Sequence, residues 1–142
     1  RSERKDSGED DYRLFSLDQT HIFTLIAQYK FSPQWELGLR YRYTTGNPRT
    51  PYVSAIYDSD ADAYVPIPGA VNSERINAFQ QIDLRVDRKW IFDRWMLTLY
   101  FEIQNALNQS NPEGIRYNYN FTQSQPITGL PIIPSIGLRG EL

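Results

Sequence analysis

Apolar and polar side chains alternate with a period of two along most of this chain, the pattern of strands with two unlike faces. From His21 to Phe31, the positions Phe23, Leu25, Ala27, Tyr29 and Phe31 hold one phase; Thr24, Gln28 and Lys30 hold the other, with Ile26 out of step. Ser32, Pro33 and Gln34 interrupt the run, and Pro33 marks a tight turn. The phase then sharpens: Trp35, Leu37, Leu39, Tyr41 and Tyr43 oppose Glu36, Gly38, Arg40, Arg42 and Thr44. It returns at Phe79, with Ile82, Leu84, Val86 and Trp90 against Asp83, Arg85 and Asp87. After a short connector at 91–94, Trp95, Leu97, Leu99, Phe101 and Ile103 oppose Met96, Thr98, Tyr100, Glu102 and Gln104. At the end of the chain Ile136, Leu138 and Leu142 oppose Ser135, Gly137, Arg139 and Glu141. This predicts about five strands of roughly 9–12 residues, with short and long connections alternating and no helical period. Residues 45–78, interrupted by Pro and Gly, read as a long irregular loop of the kind that is functional or disordered. Residues 115–121 alternate only briefly.

A soluble sheet with one wet face would also alternate. Three features point instead to lipid. Strands of about ten residues are twice the ordinary length and match the roughly 9–11 tilted residues that cross a bilayer. Charges of both signs (Arg40, Arg42, Asp83, Arg85, Asp87, Glu102, Arg139 and Glu141) occupy the phase opposite the apolar stripe, as residues lining a polar barrel lumen would. Trp35, Trp90 and Trp95 stand beside the two short connectors, where an interfacial girdle belongs. The expected fold is therefore all-β, a transmembrane antiparallel β-barrel, with short turns in the periplasm and 45–78 as a long extracellular loop. The charged segment 1–13 reads as the remnant of another extracellular loop. Five strands cannot close a barrel, since the smallest membrane examples have eight, and each unpaired edge group in lipid costs several kcal/mol. The expected partner is the remainder of the same barrel, either a separate chain or a cleaved N-terminal part.

Composition narrows the function classes. With 15 basic and 17 acidic residues the net charge is -2, which argues against nucleic acid as a partner. There is no cysteine and one histidine, so thiolate chemistry and His-based sites have little to draw on. No catalytic constellation appears, so neither an enzyme nor a cofactor is expected. The chain is rich in aromatics, with ten tyrosines. Loops carry recognition, which makes Arg49, Tyr52, Tyr57, Tyr64, Tyr117 and Tyr119 the candidates for ligand contact; the same tyrosines could instead pack the loops together. Asp58, Asp60 and Asp62 alternate as calcium ligands can, but Ala63 and Gly69 stand where a calcium loop of the EF-hand type has Gly and Glu.

The stretch from Phe79 to Gly114, followed by Gly129 to Leu142, resembles the carboxy-terminal strands of TonB-dependent outer-membrane receptors. The family's penultimate strand ends on spaced apolar and Asn positions, matched here by Ile103, Asn105, Leu107 and Asn108. The segment Gly38–Tyr52, with its Thr-Gly-Asn-Pro-Arg-Thr-Pro run, is similar to the family's strand and following loop. The resemblance spans roughly residues 12–142, and order and spacing carry it more than any one motif. It departs from the family at Leu142, where many members have Phe. It implies a 22-stranded barrel in the bacterial outer membrane, plugged by a globular domain, to which this chain supplies about the last five strands. It further implies uptake of a scarce small-molecule ligand (a siderophore, cobalamin or carbohydrate), energised by the TonB complex through an N-terminal region that these residues do not include. A structural or adhesive barrel that binds a partner through its outer loops, and a soluble carbohydrate-binding β-sandwich, are the alternatives.

Overall fold

The computed structural model describes residues 1–6, 8 and 11–142. Of the charged N-terminal run, Ser7, Glu9 and Asp10 lie outside the described residues. All regular structure described is β. In chain order the strands are β1 (Glu3–Arg4), β2 (Arg13–Leu14), β3 (Ile22–Lys30), β4 (Trp35–Thr44), β5 (Pro48–Arg49), β6 (Tyr52–Asp58), β7 (Ala63–Pro68), β8 (Glu74–Arg75), β9 (Phe79–Ile91), β10 (Met96–Gln104), β11 (Pro112–Tyr117), β12 (Ser124–Thr128) and β13 (Ile133–Glu141). The chain forms two compact units: Arg1–Ile22 with Thr44–Phe79 and Pro112–Gly129, and Phe23–Tyr43 with Gln80–Asn111 and Leu130–Leu142.

The second unit is built on one five-stranded sheet of order β13-β10-β9-β4-β3. Its strands are the five that the alternation predicts, and each neighbours the next in sequence, so the sheet is a meander. Register assigns the faces, because directly paired residues share a side. On one face Leu97 pairs with Trp90 and Gly140, Leu99 with Arg88 and Leu138, Phe101 with Val86 and Ile136, and Ile103 with Leu84 and Pro134. On the other face Thr98 pairs with Lys89 and Arg139, Tyr100 with Asp87 and Gly137, and Glu102 with Arg85 and Ser135. Ring contacts extend the apolar face: Phe23 lies 6.0 Å from Tyr41, and Phe31 stacks on Trp35 at 6.1 Å. The apolar face is uncovered. Among the described residues no hydrophobic side chain is buried; Ile136 is 72% exposed, and Leu138, Leu25 and Phe101 are also exposed. Apart from Pro48, the buried residues are polar: Asp18, Asp83, Thr98, Asn105 and Asn111.

Both tight turns form locally. At the first, the Ser32 hydroxyl accepts hydrogen bonds from the backbone N–H of Gln34 (3.2 Å) and Trp35 (3.1 Å). At the second, the N–H of Phe92 bonds the carbonyl of Trp95 at 2.9 Å, so β9 keeps Ile91 and the turn occupies 92–95.

At the far end of β10, Asn105 and Asn108 adopt left-handed backbone conformations, φ 51° and 48°. Asn tolerates that region because its short side chain bonds locally. Asn105 donates through Nδ2 to the carbonyls of Gln109 (3.0 Å) and Leu130 (3.1 Å) and accepts the N–H of Gln109 at 2.9 Å. Asn108 accepts the N–H of Ile132, and Asn111 exchanges two hydrogen bonds with the backbone of Gln80. The three asparagines thus tie the exit of β10 to the start of β9 and the entry of β13.

The first unit corrects the reading of 45–78 as irregular. Strand β6 pairs antiparallel with β7, with Tyr57 opposite Tyr64, and β5 pairs with β8. The Tyr-Val-Ser-Ala-Ile-Tyr run of β6 has high strand propensity. Pro66 and Pro68 do not prevent pairing, because both strands of a two-stranded ribbon are edges. Strands β11 and β12 form a second ribbon, with Tyr117 opposite Ser124, and β1 pairs with β2. Arg75 joins distant segments: Nη1 donates to the carbonyls of Asp18 and Gly46, both at 2.9 Å, and Nη2 donates to the Asp18 carboxylate at 2.5 Å and the Thr20 hydroxyl at 3.1 Å. A Cβ at Gly46 would fall 1.8 Å from the Ile76 carbonyl oxygen, so only glycine allows that close approach.

Candidate functional site

All six residues expected to contact ligand lie in the first unit, and the structure gathers them into two clusters. In one, the Tyr117 ring lies 5.0 Å from Tyr52 and 5.8 Å from Phe121, and Tyr52 meets Phe121 edge-on at 5.4 Å. Arg49 donates from Nη1 to the Tyr117 hydroxyl at 2.8 Å and pairs with Glu74 at 2.5 Å. In the other, Tyr64 lies 5.2 Å from Tyr57 and 5.4 Å from Tyr119. The Tyr57 hydroxyl donates to the Asp62 carboxylate at 2.5 Å, and the Tyr119 hydroxyl to the Asp62 carbonyl at 2.7 Å. Both clusters join the β6–β7 ribbon to residues 117–121. The carboxylate of Asp62 holds the Tyr57 hydroxyl proton more firmly than usual and raises its pKa. Tyr52, Tyr57 and Tyr119 remain exposed, so the clusters brace the ribbons while presenting ring edges and hydroxyls outward. Phe121 belongs to this site, and the sequence reading did not name it. The signal was present in the continued alternation of Tyr117, Tyr119 and Phe121.

Two of the aspartates of the β6–β7 turn, Asp58 and Asp62, form hydrogen bonds that hold the turn. Asp58 accepts the N–H groups of Asp60 (3.0 Å) and Ala61 (3.3 Å), which closes the turn, and Asp62 bonds Tyr57. Among the described residues no group of three or more metal-ligating side chains converges.

The charged residues expected to line a lumen do share a sheet face, where they pair with one another. Arg40 reaches the Asp83 carboxylate through Nε (2.8 Å) and Nη2 (2.7 Å), with Arg42 at 3.7 Å. Asp83 also accepts from Gln81 Nε2 at 2.6 Å and from the Asn105 N–H at 3.0 Å. Arg85 engages both oxygens of Asp87 at 2.8 Å, stands 3.5 Å from Glu102 and lies 4.2 Å over the Tyr100 ring. Arg139 pairs with Glu141 at 2.7 Å. Lys89 and Glu36, a pair not singled out from sequence, close at 2.7 Å on the same face. Gly137 leaves room for Tyr100, since a Cβ there would sit 2.3 Å from its hydroxyl. A depression of about 260 Å3 in this sheet is lined in part by Gln28, Arg40, Asp83, Arg85 and Glu102.

None of the three tryptophans is buried. Trp95 stacks on Phe92 at 4.4 Å. Arg88, the one charge on the apolar face of β9, lies 5.2 Å over Trp35 and 4.8 Å over Trp90. Its guanidinium, though exposed, thus faces two rings at the turn-bearing end of the sheet, a cation–π arrangement. Sequence phase puts Arg88 in the apolar set, and only the pairing shows what receives it.

No protein-family model, no curated protein and no solved structure matches this chain.

Proposed function

We propose that this chain supplies transmembrane strands to the β-barrel of an outer-membrane active transporter of the TonB-dependent receptor type. One observation carries the reading: a five-stranded meander with an apolar, uncovered face and an opposite face of mutually paired charges, in a chain whose described residues bury no hydrophobic side chain. A water-soluble sheet covers its apolar face with a second layer; in lipid the hydrocarbon is the cover. The aromatic residues and Arg88 at the turn-bearing end suit a membrane–water interface, where amphipathic rings and long cationic side chains settle. Strands β3 and β13 are the sheet's edges and need further strands beside them in a bilayer. These come from the rest of the barrel. The two tyrosine clusters then form part of the outer surface that first meets a small-molecule ligand, and TonB energy drives release inward.

The test is depth. With the full chain in lipid vesicles, nitroxide labels near the headgroups should quench Trp35, Trp90 and Trp95 more than labels near the acyl-chain ends. Equal quenching by both, or none, rejects the membrane reading. Uptake by cells carrying the assembled barrel should stop when the protonmotive force is collapsed; partner binding without energised uptake would favour the adhesive barrel.

A further inference from the structure

The first unit contains a cleft that none of the roles above uses. It encloses about 230 Å3, and widely separated parts of the chain line it: Gln19, then Thr45 and Asn47, then Asn77 and Phe79, then Glu113. Two devices hold these walls in place. Arg75 bonds both sides of Gln19, through Asp18 and Thr20, and also the Gly46 carbonyl between Thr45 and Asn47. The glycine at 46 lets the segment between β4 and β5 lie against the Ile76 backbone, and the Ile76 N–H bonds the Asn47 carbonyl at 3.0 Å. The backbone of the cleft is thus held by a network of directed bonds; of its side chains Asn47 and Phe79 are half-buried, and Gln19, Asn77 and Glu113 are exposed.

Its chemistry is specific. The functional groups are amides, hydroxyls, one carboxylate and one aromatic ring, with no Lys or Arg among the lining residues. An anionic ligand would meet Glu113 and no cation. The Asn47 Oδ1 is shielded from solvent and has no hydrogen-bond partner among the described residues, an unsatisfied acceptor in a residue that lines the cleft. The volume lies below the roughly 300–1,000 Å3 of sites for drug-sized ligands, so the cleft takes one small ring or part of a longer ligand. Amides and hydroxyls provide the paired donors and acceptors that vicinal hydroxyls need, and Phe79 offers an apolar surface for ring C–H groups.

We infer that this cleft is a binding site for a neutral carbohydrate, holding a single sugar ring through Gln19, Asn47, Asn77 and Glu113 against Phe79. The cleft stands independently of the membrane assignment; in naming the substrate class of a transporter it rests on that reading. The two can fail separately, because sugar binding and vesicle insertion are different measurements.

The experiment is calorimetric and ligand-observed NMR titration of the full chain in detergent with D-glucose, D-galactose, maltose and cellobiose, and with citrate as an anionic control. At least one sugar should bind with a millimolar Kd and citrate should not. Asn47→Ala and Asn77→Ala should each weaken binding about tenfold, as loss of one or two hydrogen bonds to the ligand does. Asp93→Ala, at an exposed position of the turn at 92–95, should leave it unchanged. Glu113→Gln, which keeps the side chain's volume, tests the carboxylate should an asparagine variant fail to fold, and should also weaken binding. The inference is overturned if no sugar binds up to about 50 mM, if citrate binds in preference, or if folded variants at Asn47, Asn77 and Glu113 all bind as the parent does. Sugar binding by a chain that does not enter vesicles would reject the transporter and keep the cleft.

Discussion

Placing an arginine at Ile136 separates lipid from water as the solvent of the apolar face. Ile136 is 72% exposed and pairs with Phe101, which pairs with Val86 in the centre of the sheet. The aromatic level lies at Trp90, whose partner Leu97 pairs with Gly140. Four residues separate Gly140 from Ile136 along β13. At about 3.4 Å per residue this is about 14 Å of strand, or about 10 Å of depth at a tilt of about 45°. That is close to the middle of an apolar band about 25 Å tall, where an added arginine costs about 2–4 kcal/mol. In vesicle flotation or urea titration of the reconstituted chain, Ile136→Arg should therefore lower the bilayer-inserted population about 30- to 1,000-fold. Leu138→Arg, two residues nearer the aromatic level, should cost less. Ser135→Arg, on the charged face, should cost little. In water, a charge at a position already so exposed would alter stability by no more than about 0.5 kcal/mol. An Ile136→Arg effect that small, or one no larger than that of Ser135→Arg, refutes the assignment of this face to lipid.

Asn105→Ala removes three side-chain hydrogen bonds, each worth about 1 kcal/mol net, and leaves alanine at a φ of 51° for a further 1–2 kcal/mol or so. Urea unfolding should show a loss of about 4 kcal/mol, and Asn105→Gly should recover the backbone part alone. The Asp18 carboxyl is held well below the usual carboxylate range, chiefly by Arg75 and then by the Ser2 N–H. Its contribution is fully present above the unfolded pKa near 3.9 and is lost as pH falls through the lower folded value. Hydrogen-exchange protection, taken against the intrinsic rate at each pH, should therefore fall at residues 18–20, 46 and 75 on acidification below about pH 4 in the parent, and should already be low and less pH-dependent in Asp18→Asn. Tyr57 should ionise later than an ordinary tyrosine in an absorbance titration near the alkaline end. Asp62→Asn, which suits the φ of 47° there, should return it towards the ordinary value.

Much of the sheet was legible because period-two alternation is a local property. Each of the long strands carries its own phase, and that phase places Leu97, Leu99, Phe101 and Ile103 on one side without knowledge of any partner. Pro33 and the connector at 91–94 announced the tight turns in the same way. The β6–β7 ribbon was missed because Pro66 and Pro68 read as breakers, whereas a two-stranded ribbon has no central strand to break. The six loop residues could be chosen by type, but their separation into two clusters depends on contacts such as Arg49 with Tyr117 and Asp62 with Tyr119, which lie about 60 residues apart in the chain.

What the sequence determined by itself is the all-β class, the phase of each long strand and hence the two chemically unlike faces, since these follow from side-chain order along an extended backbone. Tertiary structure decided the rest. Cross-strand register brought Arg40 onto Asp83 and seated Arg88 between Trp35 and Trp90. Backbone-directed bonds from Arg75 and Asn105 joined segments that carry no common pattern. Such contacts depend on distances between remote residues, and alternation along a single strand holds no information about them.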